Sequence, residues 1–310
     1  MPKFSIIVPF YNTGLYLKKC LDSIFNQDYC DFEVIVVNDG SSDDSYEIVD
    51  TYLKKYNNIK YLYQENSGLS IARNNGVLKA SGEYLLFLDS DDYYQPGLLK
   101  RLSLEVDGCD VVRFQVQDAY SDGHIVKYCD NVFSKMNGKK AFSNLVMNHY
   151  IEIACIYCFK RSFWLKNKFT FKAGAYHEDF GLIPLVLIKS KFIKSIDFYG
   201  YNYFKRDVSI TNGCDYEKSK KMAFDFLEHF KFLKKESLNI KGDLSVFNSY
   251  IANSVIIKST ILKGVDYKKY YKEIKNIGAF DMLLEDSLGR KIKKCFIKIS
   301  PKLYYKIVRR

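Results

Sequence analysis

Tyr84-Leu85-Leu86-Phe87-Leu88-Asp89-Ser90-Asp91-Asp92 is the stretch on which the reading of this chain turns. Its first five residues are apolar or aromatic and of strand length. They suit a strand buried on both faces, as in a parallel sheet. Asp89, Asp91 and Asp92 then fall at the strand's carboxyl end, where open α/β sheets bind ligands. Crowded carboxylates repel one another unless a cation or a bound positive group neutralises them. Hard oxygen ligands suit Mg2+ or Mn2+, ions that keep coordination positions open for phosphate groups. The cluster therefore reads as a metal–diphosphate site, against the plainer reading that Asp is common in turns and helix caps.

The same pattern recurs upstream. Phe4 to Tyr11 is a strand pattern stopped by Pro9, and Asn12 and Gly14 turn the chain into a helical spacing of Leu17, Cys20, Leu21, Ile24 and Phe25. A second apolar run, Phe32 to Val37, ends in Asn38-Asp39-Gly40-Ser41-Ser42-Asp43-Asp44-Ser45. Ser42 or Asp43 is the expected N-cap of a helix through Ile48, Val49, Tyr52 and Leu53. Strand and helix alternate, and three strand ends are polar or acidic. That order implies an α/β fold with a mostly parallel central sheet flanked by helices.

Downstream, Pro96-Gly97 opens a helix through Leu98, Leu99 and Leu102, and Asp110 to Val116 forms a strand. Asp122-Gly123 marks a hairpin turn. Residues 138 to 176 mix helix and strand signals. Glu178 to Ser190 reads as a helix, Phe192 to Tyr203 as strand, and everything from Tyr216 onward as helical. A boundary is expected at Asn212-Gly213. The segments are then 1–212, whose halves meet at residue 110, a helical region 213–289, and a tail 290–310.

The chain has 310 residues, 47% of them apolar, enough for a substantial core. No apolar run has transmembrane length and no signal-peptide pattern opens the chain, so a cytoplasmic location is expected. The eight cysteines are then expected reduced. Cys155-x-x-Cys158 lacks a second ligand pair for zinc and sits among apolar neighbours, which favours core packing. The net charge is +11, but Arg290 to Arg310 holds nine basic residues and no acid, leaving +2 for the rest. No nucleic-acid motif accompanies that charge, and no nucleic-acid partner is expected. Apolar Ile292, Cys295, Phe296, Ile299, Leu303 and Ile307 interleave the tail at spacings of three and four. Such a stretch fits either an anionic membrane surface, here the inner face of the cell membrane, or a terminal helix packed on its own domain. Pro301 is expected to divide it.

Taken together, these segments resemble the family-2 inverting glycosyltransferases with the GT-A fold, of the kind that build bacterial capsule, lipopolysaccharide and other cell-surface glycans. The resemblance rests on Ile7-Val8-Pro9-Phe10-Tyr11-Asn12, Val37 to Asp43, Asn66 to Asn74, Phe87 to Asp92, His177-Glu178-Asp179, Tyr203 to Arg206, and Ser209-Ile210-Thr211. It covers about residues 1–212, and its weight lies in the order and spacing of several motifs. It implies a nucleotide-binding half over 1–110, an acceptor half over 111–212, and a UDP-sugar donor bound by Pro9, Tyr11, Asn12, Asp39, Arg73, Asp89 and Ser90. Asp39 would accept the imide N–H of uracil, Tyr11 would stack on the base, and Arg73 would hold the donor or Asp89. Asp91 would bind Mn2+ or Mg2+, with Asp92 in support. Asp179 would act as the base on a saccharide acceptor, expected to be lipid-linked. Glu178, His177, Lys205 and Arg206 would assist, the last two at the diphosphate.

Other readings compete. A dinucleotide-binding oxidoreductase also wants an acid after the second strand, but Pro9 to Gly14 lacks the G-x-G-x-x-G turn. A phosphatase using Asp89-Ser90-Asp91 and a non-catalytic nucleotide-sugar binding protein remain open at this point.

Overall fold

The computed structural model describes residues 1–128, 132–146, 152–205 and 215–308, the Val308 side chain apart. β1 (Phe4–Phe10), β2 (Phe32–Asn38), β3 (Ile59–Tyr63) and β4 (Tyr84–Phe87) alternate with α1 (Gly14–Phe25), α2 (Ser45–Lys55) and α3 (Leu69–Lys79). β1, β2 and β4 are buried along their whole length, as strands covered on both faces must be. The four pair in parallel in the order β3-β2-β1-β4. The chain thus winds outward from β1 to β3, then crosses back to β1's other side. Ligands bind outside the carboxyl strand ends at such a reversal. Phe10 lies opposite Asn38, and Ile7 opposite Phe87. Tyr11, Asp39 and Asp89 therefore leave the sheet along one edge.

Beyond β4 the sheet becomes mixed. β5 (Tyr93–Tyr94), α4 (Leu98–Glu105), β6 (Val111–Ala119), β7 (Ile125–Lys127), β8 (Phe133–Met136), α5 (Gly138–Val146), β9 (Tyr157–Lys160) and α6 (Arg161–Lys166) follow. After α7 (Glu178–Lys189) comes β10 (Ile193–Phe204). β9 wedges between β4 and β6, antiparallel to both, while β6 and β10 are parallel. The expected parallel sheet holds for the first four strands. It gives way where short connections such as the β6–β7 hairpin reverse the chain, with Tyr120 N–H donating to His124 O at 2.9 Å. The core beneath β4 and β9 is aromatic: Trp164 lies 5.6 Å from Phe87, 5.0 Å from Phe159 and 5.7 Å from Phe171, centroid to centroid.

The chain divides into two compact units, Met1–Gly174 with Ser190–Ser209, and Ala175–Lys189 with Ile210–Arg310. The second contains α7, α8 (Tyr216–Ser237), α9 (Ser245–Lys258), α10 (Gly264–Asn276), α11 (Leu288–Ile299) and α12 (Pro301–Val308). Asp215 caps α8, its carboxylate accepting from Lys218 N–H at 2.7 Å. Phe226, Leu227, Phe230 and Leu233 of α8 are buried at helical spacing, with Phe247, Ile251 and Val255 of α9. Phe180 of α7 stacks on Phe226 at 4.4 Å. A Cβ on Gly181 would stand 2.2 Å from His229 Nδ1, so only glycine lets that ring lie against α7. These contacts explain why α7 groups with the C-terminal helices, which a boundary at 212/213 does not anticipate. Asn212 and Gly213 themselves lie outside the described residues. Every residue from Phe180 to Ile188 is buried, so α7 carries no polar face that would assign it to a unit from sequence. Among the described residues no helix is long and apolar enough to cross a membrane.

Candidate active site

Three loops meet at the carboxyl edge of the first unit, and their polar residues bind mostly to one another. After β1, Asn12 adopts a left-handed backbone with φ 51°. Its N–H donates to Ser41 Oγ at 3.1 Å, and its side-chain oxygen accepts from Ser42 N–H at 2.8 Å. The next two amides continue the seam, Thr13 N–H to Ser45 Oγ at 3.1 Å and Gly14 N–H to the Asp43 carboxylate at 3.0 Å. Asp43 thus caps the start of α1 across the loop. Neither it nor Ser42 is the N-cap of α2, which is Asp44 without a side-chain bond. Tyr11 is 49% exposed beside this seam, while Pro9 is buried in the strand.

Asp39 is buried and ties the second loop to the third. One carboxylate oxygen accepts from Gln64 Nε2 at 2.7 Å and Ser67 N–H at 2.8 Å, the other from Gly68 N–H at 2.9 Å. An ionised carboxylate offers about four acceptor positions, so one remains for a ligand N–H. Gly40 must be glycine: its φ is +79°, and a Cβ there would approach Asn66 N to 2.9 Å.

The aspartates after β4 have three different fates. Asp89 is paired with Arg73 of α3, Nη2 to Oδ1 at 2.8 Å, and the Arg73 side chain is only 2% exposed. Arg73 Nη2 also lies 3.7 Å from Cys155 Sγ, and the guanidinium sits 5.2 Å from the Phe171 ring centroid. Asp92 turns inward. It accepts from Tyr201 Oη at 2.5 Å and from Phe204 N–H at 2.7 Å, both on β10. Burial, reinforced by the charges of Asp91 and Asp89, raises its pKa far above the usual carboxylate range. Asp91, between them, is half-buried, and Ser90 is buried. The repulsion inferred from sequence is eased by the Arg73 guanidinium on Asp89, and burial disfavours the charged form of Asp92. Among the described residues no three His, Cys, Asp or Glu side chains group as a metal cage. The half-buried Asp91 would suit the other mode, in which Mg2+ or Mn2+ rests on one or two carboxylates and on substrate phosphates.

Lys205, at the end of β10, is bound to Asp118 at 3.0 Å and lies over the Tyr203 ring at 4.2 Å. A diphosphate would have to compete with Asp118 for it. Arg206 lies outside the described residues, as do Ser209, Ile210 and Thr211.

His177, Glu178 and Asp179 belong to the second unit. Glu178 and Asp179 occupy the first turn of α7, where the helix dipole favours negative charge. His177 precedes them with a left-handed φ of 59°, and its ring packs on Phe226 at 4.6 Å. Burial, then the charges of Lys258 and His229, hold its pKa down to about 4, so the ring is neutral at neutral pH. Its Nε2 is buried with no hydrogen-bond partner among the described residues.

Residues that the sequence did not single out shape this edge. Gln64 precedes the Asn66–Asn74 motif by two positions and is itself held by Asn75 Nδ2 at 2.7 Å. Adjacency to the motif was its only signal. Tyr201 is one of several tyrosines on β10, and nothing local marks the one that reaches Asp92. Cys155 and Cys158 are buried, and burial pushes the Cys158 thiol up, as core thiols should behave.

Residues 5–171 match the family model described as glycosyl transferase family 2. Glycosyltransferase GlyA of Streptococcus pneumoniae serotype 4 is 48% identical over 100 residues, 32% of this chain and 14% of that protein. The GalNAc(5)-diNAcBac-PP-undecaprenol beta-1,3-glucosyltransferase of Campylobacter jejuni is 44% identical over 104 residues, 33% of this chain and 34% of that protein. The matches thus span a minority of either relative's length. Among solved structures, S. aureus TarS 1-349 in complex with UDP-GlcNAc superposes with a TM-score of 0.63 at 21% identity, covering 90% of each chain.

Proposed function

The chain belongs to glycosyl transferase family 2 and has the GT-A fold, and we propose that it moves a hexose or N-acetylhexosamine from a UDP-sugar to a hydroxyl of a glycan acceptor, inverting the anomeric centre. The observation that carries this reading is the row of Tyr11, Asp39, Asp89 and Asp91 at the carboxyl ends of neighbouring parallel strands. Uracil stacks on the exposed Tyr11 face, and its imide N–H takes the remaining acceptor position of Asp39. Cytosine has no imide N–H to offer. Asp89, oriented by buried Arg73, contacts the ribose, with Asn12 and Ser90 shaping the loop around it.

Asp91 holds Mn2+ or Mg2+, which when bound stabilises the negative charge developing on the UDP leaving group. Asp179 accepts the proton of the attacking hydroxyl, a weak nucleophile at neutral pH. Neutral His177 contributes no charge beside it, and Glu178 and Lys205 act in support. The acceptor is a lipid-linked glycan in surface polysaccharide synthesis, a class that the name of the Campylobacter relative supports. A phosphatase would need Asp89 as a free nucleophile, and the Arg73 pair opposes that use.

The test is a panel of nucleotide sugars incubated with Mn2+ and read by nucleotide release. UDP release dependent on acceptor is expected. Release of GDP alone, or of inorganic phosphate, would overturn the reading.

A further inference from the structure

The tail forms two helices whose orientation is the reverse of an ordinary terminal helix. In α11 the side chains turned inward are Lys294, 7% exposed, and Ile297, fully buried. Lys294 Nζ reaches the carbonyls of Asp281 at 3.2 Å and Leu283 at 3.3 Å, and pairs with Glu285. Leu288, Ile292, Phe296 and Ile299 are instead between 49% and 78% exposed. At 3.6 residues per turn these four fall within about 80° of one another, and Lys294 and Ile297 lie roughly 140–160° from the centre of their stripe. α12 repeats the arrangement. Tyr305 is buried, its hydroxyl donating to Asn253 Oδ1 at 2.6 Å, while Leu303 and Ile307 are 55% and 60% exposed.

The apolar stripes are thus what the tail presents outward, and cations border them. On the α11 wheel Lys291 and Lys298 lie on one side of the stripe and Lys293 on the other; Lys306 borders that of α12. Lys298 is paired with Asp281 at 3.0 Å. Lys291, Lys293 and Lys306 are exposed and make no ion pair among the described residues.

We propose that α11 and α12 are an interfacial membrane anchor, laying Leu288, Ile292, Phe296, Ile299, Leu303 and Ile307 into the headgroup boundary of an anionic bilayer, with the bordering lysines at its phosphates. An interfacial helix has this composition: an apolar face that enters the acyl boundary and long basic side chains whose heads stay at the polar layer. A second copy of the chain fits less well, because it would bring two sets of like charges together. Nucleic acid fits less well too, because a phosphate backbone leaves the apolar stripe uncovered.

The experiment uses the full chain with vesicles of phosphatidylcholine alone or mixed with phosphatidylglycerol. Co-sedimentation with the anionic vesicles only, weakened by salt, is expected. Ile292→Glu/Phe296→Glu changes exposed positions outside the donor loops, so UDP affinity should be retained while vesicle partitioning falls at least about tenfold. Lys291→Gln/Lys293→Gln should lower it about fivefold per lysine. Phe296→Trp adds an exposed indole to a chain whose single native tryptophan, Trp164, is buried. The emission of that variant should shift to the blue with anionic vesicles. Equal binding to both vesicle types, wild-type partitioning by the Glu variant, or an unshifted emission from the Phe296→Trp variant would overturn the proposal. So would a change of oligomeric mass in the Glu variant without a change in lipid binding, or displacement by RNA but not by salt.

Discussion

Replacing Arg73 by methionine tests whether the guanidinium, rather than a metal, holds the aspartate cluster together. Methionine keeps much of the side-chain volume, so the main change is electrostatic. The Asp89 carboxylate would lose the partner bound at 2.8 Å and face Asp91 with its charge uncompensated. Breaking a buried ion pair from one side costs about 3–5 kcal/mol. The Asp89 side chain is 32% exposed, so water recovers part of this, and the lower end, about 3 kcal/mol, applies. Arg73→Met/Asp89→Asn removes the stranded charge as well. Buried pairs replaced by neutral groups of similar size lose little stability, so the double variant should regain about 2 kcal/mol.

The assay is urea unfolding followed by tryptophan emission. Trp164, the single tryptophan, packs on Phe171, the ring that also faces the Arg73 guanidinium. The signal therefore reports the first unit. With a urea slope of about 2 kcal/mol/M, the single variant's midpoint should drop about 1.5 M and the double variant's about 0.5 M. Both should lose donor affinity, since Asp89 is misplaced in one and uncharged in the other. Equal midpoints for the two variants would refute the argument, because the cost would then come from packing and not from a stranded charge.

Asp91→Asn should lower turnover at least about a hundredfold, the cost of losing a contact that stabilises charge in the transition state. Chelation should abolish activity and Mn2+ or Mg2+ restore it; full activity in chelator would remove Asp91 from the metal role. Asp179→Asn should leave UDP affinity nearly unchanged while transfer collapses, measured by UDP titration beside product formation; equal losses in both would make Asp179 a donor ligand or a cap. Glu33 supplies a pH test. Burial alone would raise its pKa, but Lys60 at 2.6 Å and hydrogen bonds from Ser5 and Ser81 outweigh burial and bring it to about 2. Stability from that depression is complete above the unfolded value near 4.5 and is lost as pH falls toward about 2. It amounts to about 3 kcal/mol at 1.36 kcal/mol per pH unit. Glu33→Gln should flatten that limb of the unfolding profile, and a wild-type slope in the variant would assign the acid loss elsewhere.

The alternation of strand and helix was legible because each strand of the first half is a short apolar run and each connection a polar turn. Hydrophobic period and turn chemistry are local properties. The mixed order beyond β4 was not legible. β9 inserts between strands distant in sequence, and β5, β7 and β8 are too short to show a period. The placement of Tyr11, Asp39 and Asp89 after strand ends was legible for the same reason as the fold, since a strand's end is a local feature. The roles inside the site depend on partners far along the chain. Asp92 reads as one more acidic residue until β10 brings Tyr201 and the Phe204 amide to it, 109 and 112 residues away. Asp39 reads as a ligand group until Gln64, Ser67 and Gly68 occupy most of its acceptor positions. Lys205 reads as a free cation until Asp118 binds it.

These distant partners sort three adjacent carboxylates that the sequence cannot rank. Asp89 is oriented by a cation that water scarcely reaches, and Asp92 is buried and bonded to β10. Asp91 sits between two such anchored neighbours on a short turn, so its carboxylate is positioned without being fully shielded from solvent. Both properties suit the cation site proposed at Asp91, which must stay open to substrate phosphates. Charge density alone would favour all three residues equally; the unequal environments favour Asp91.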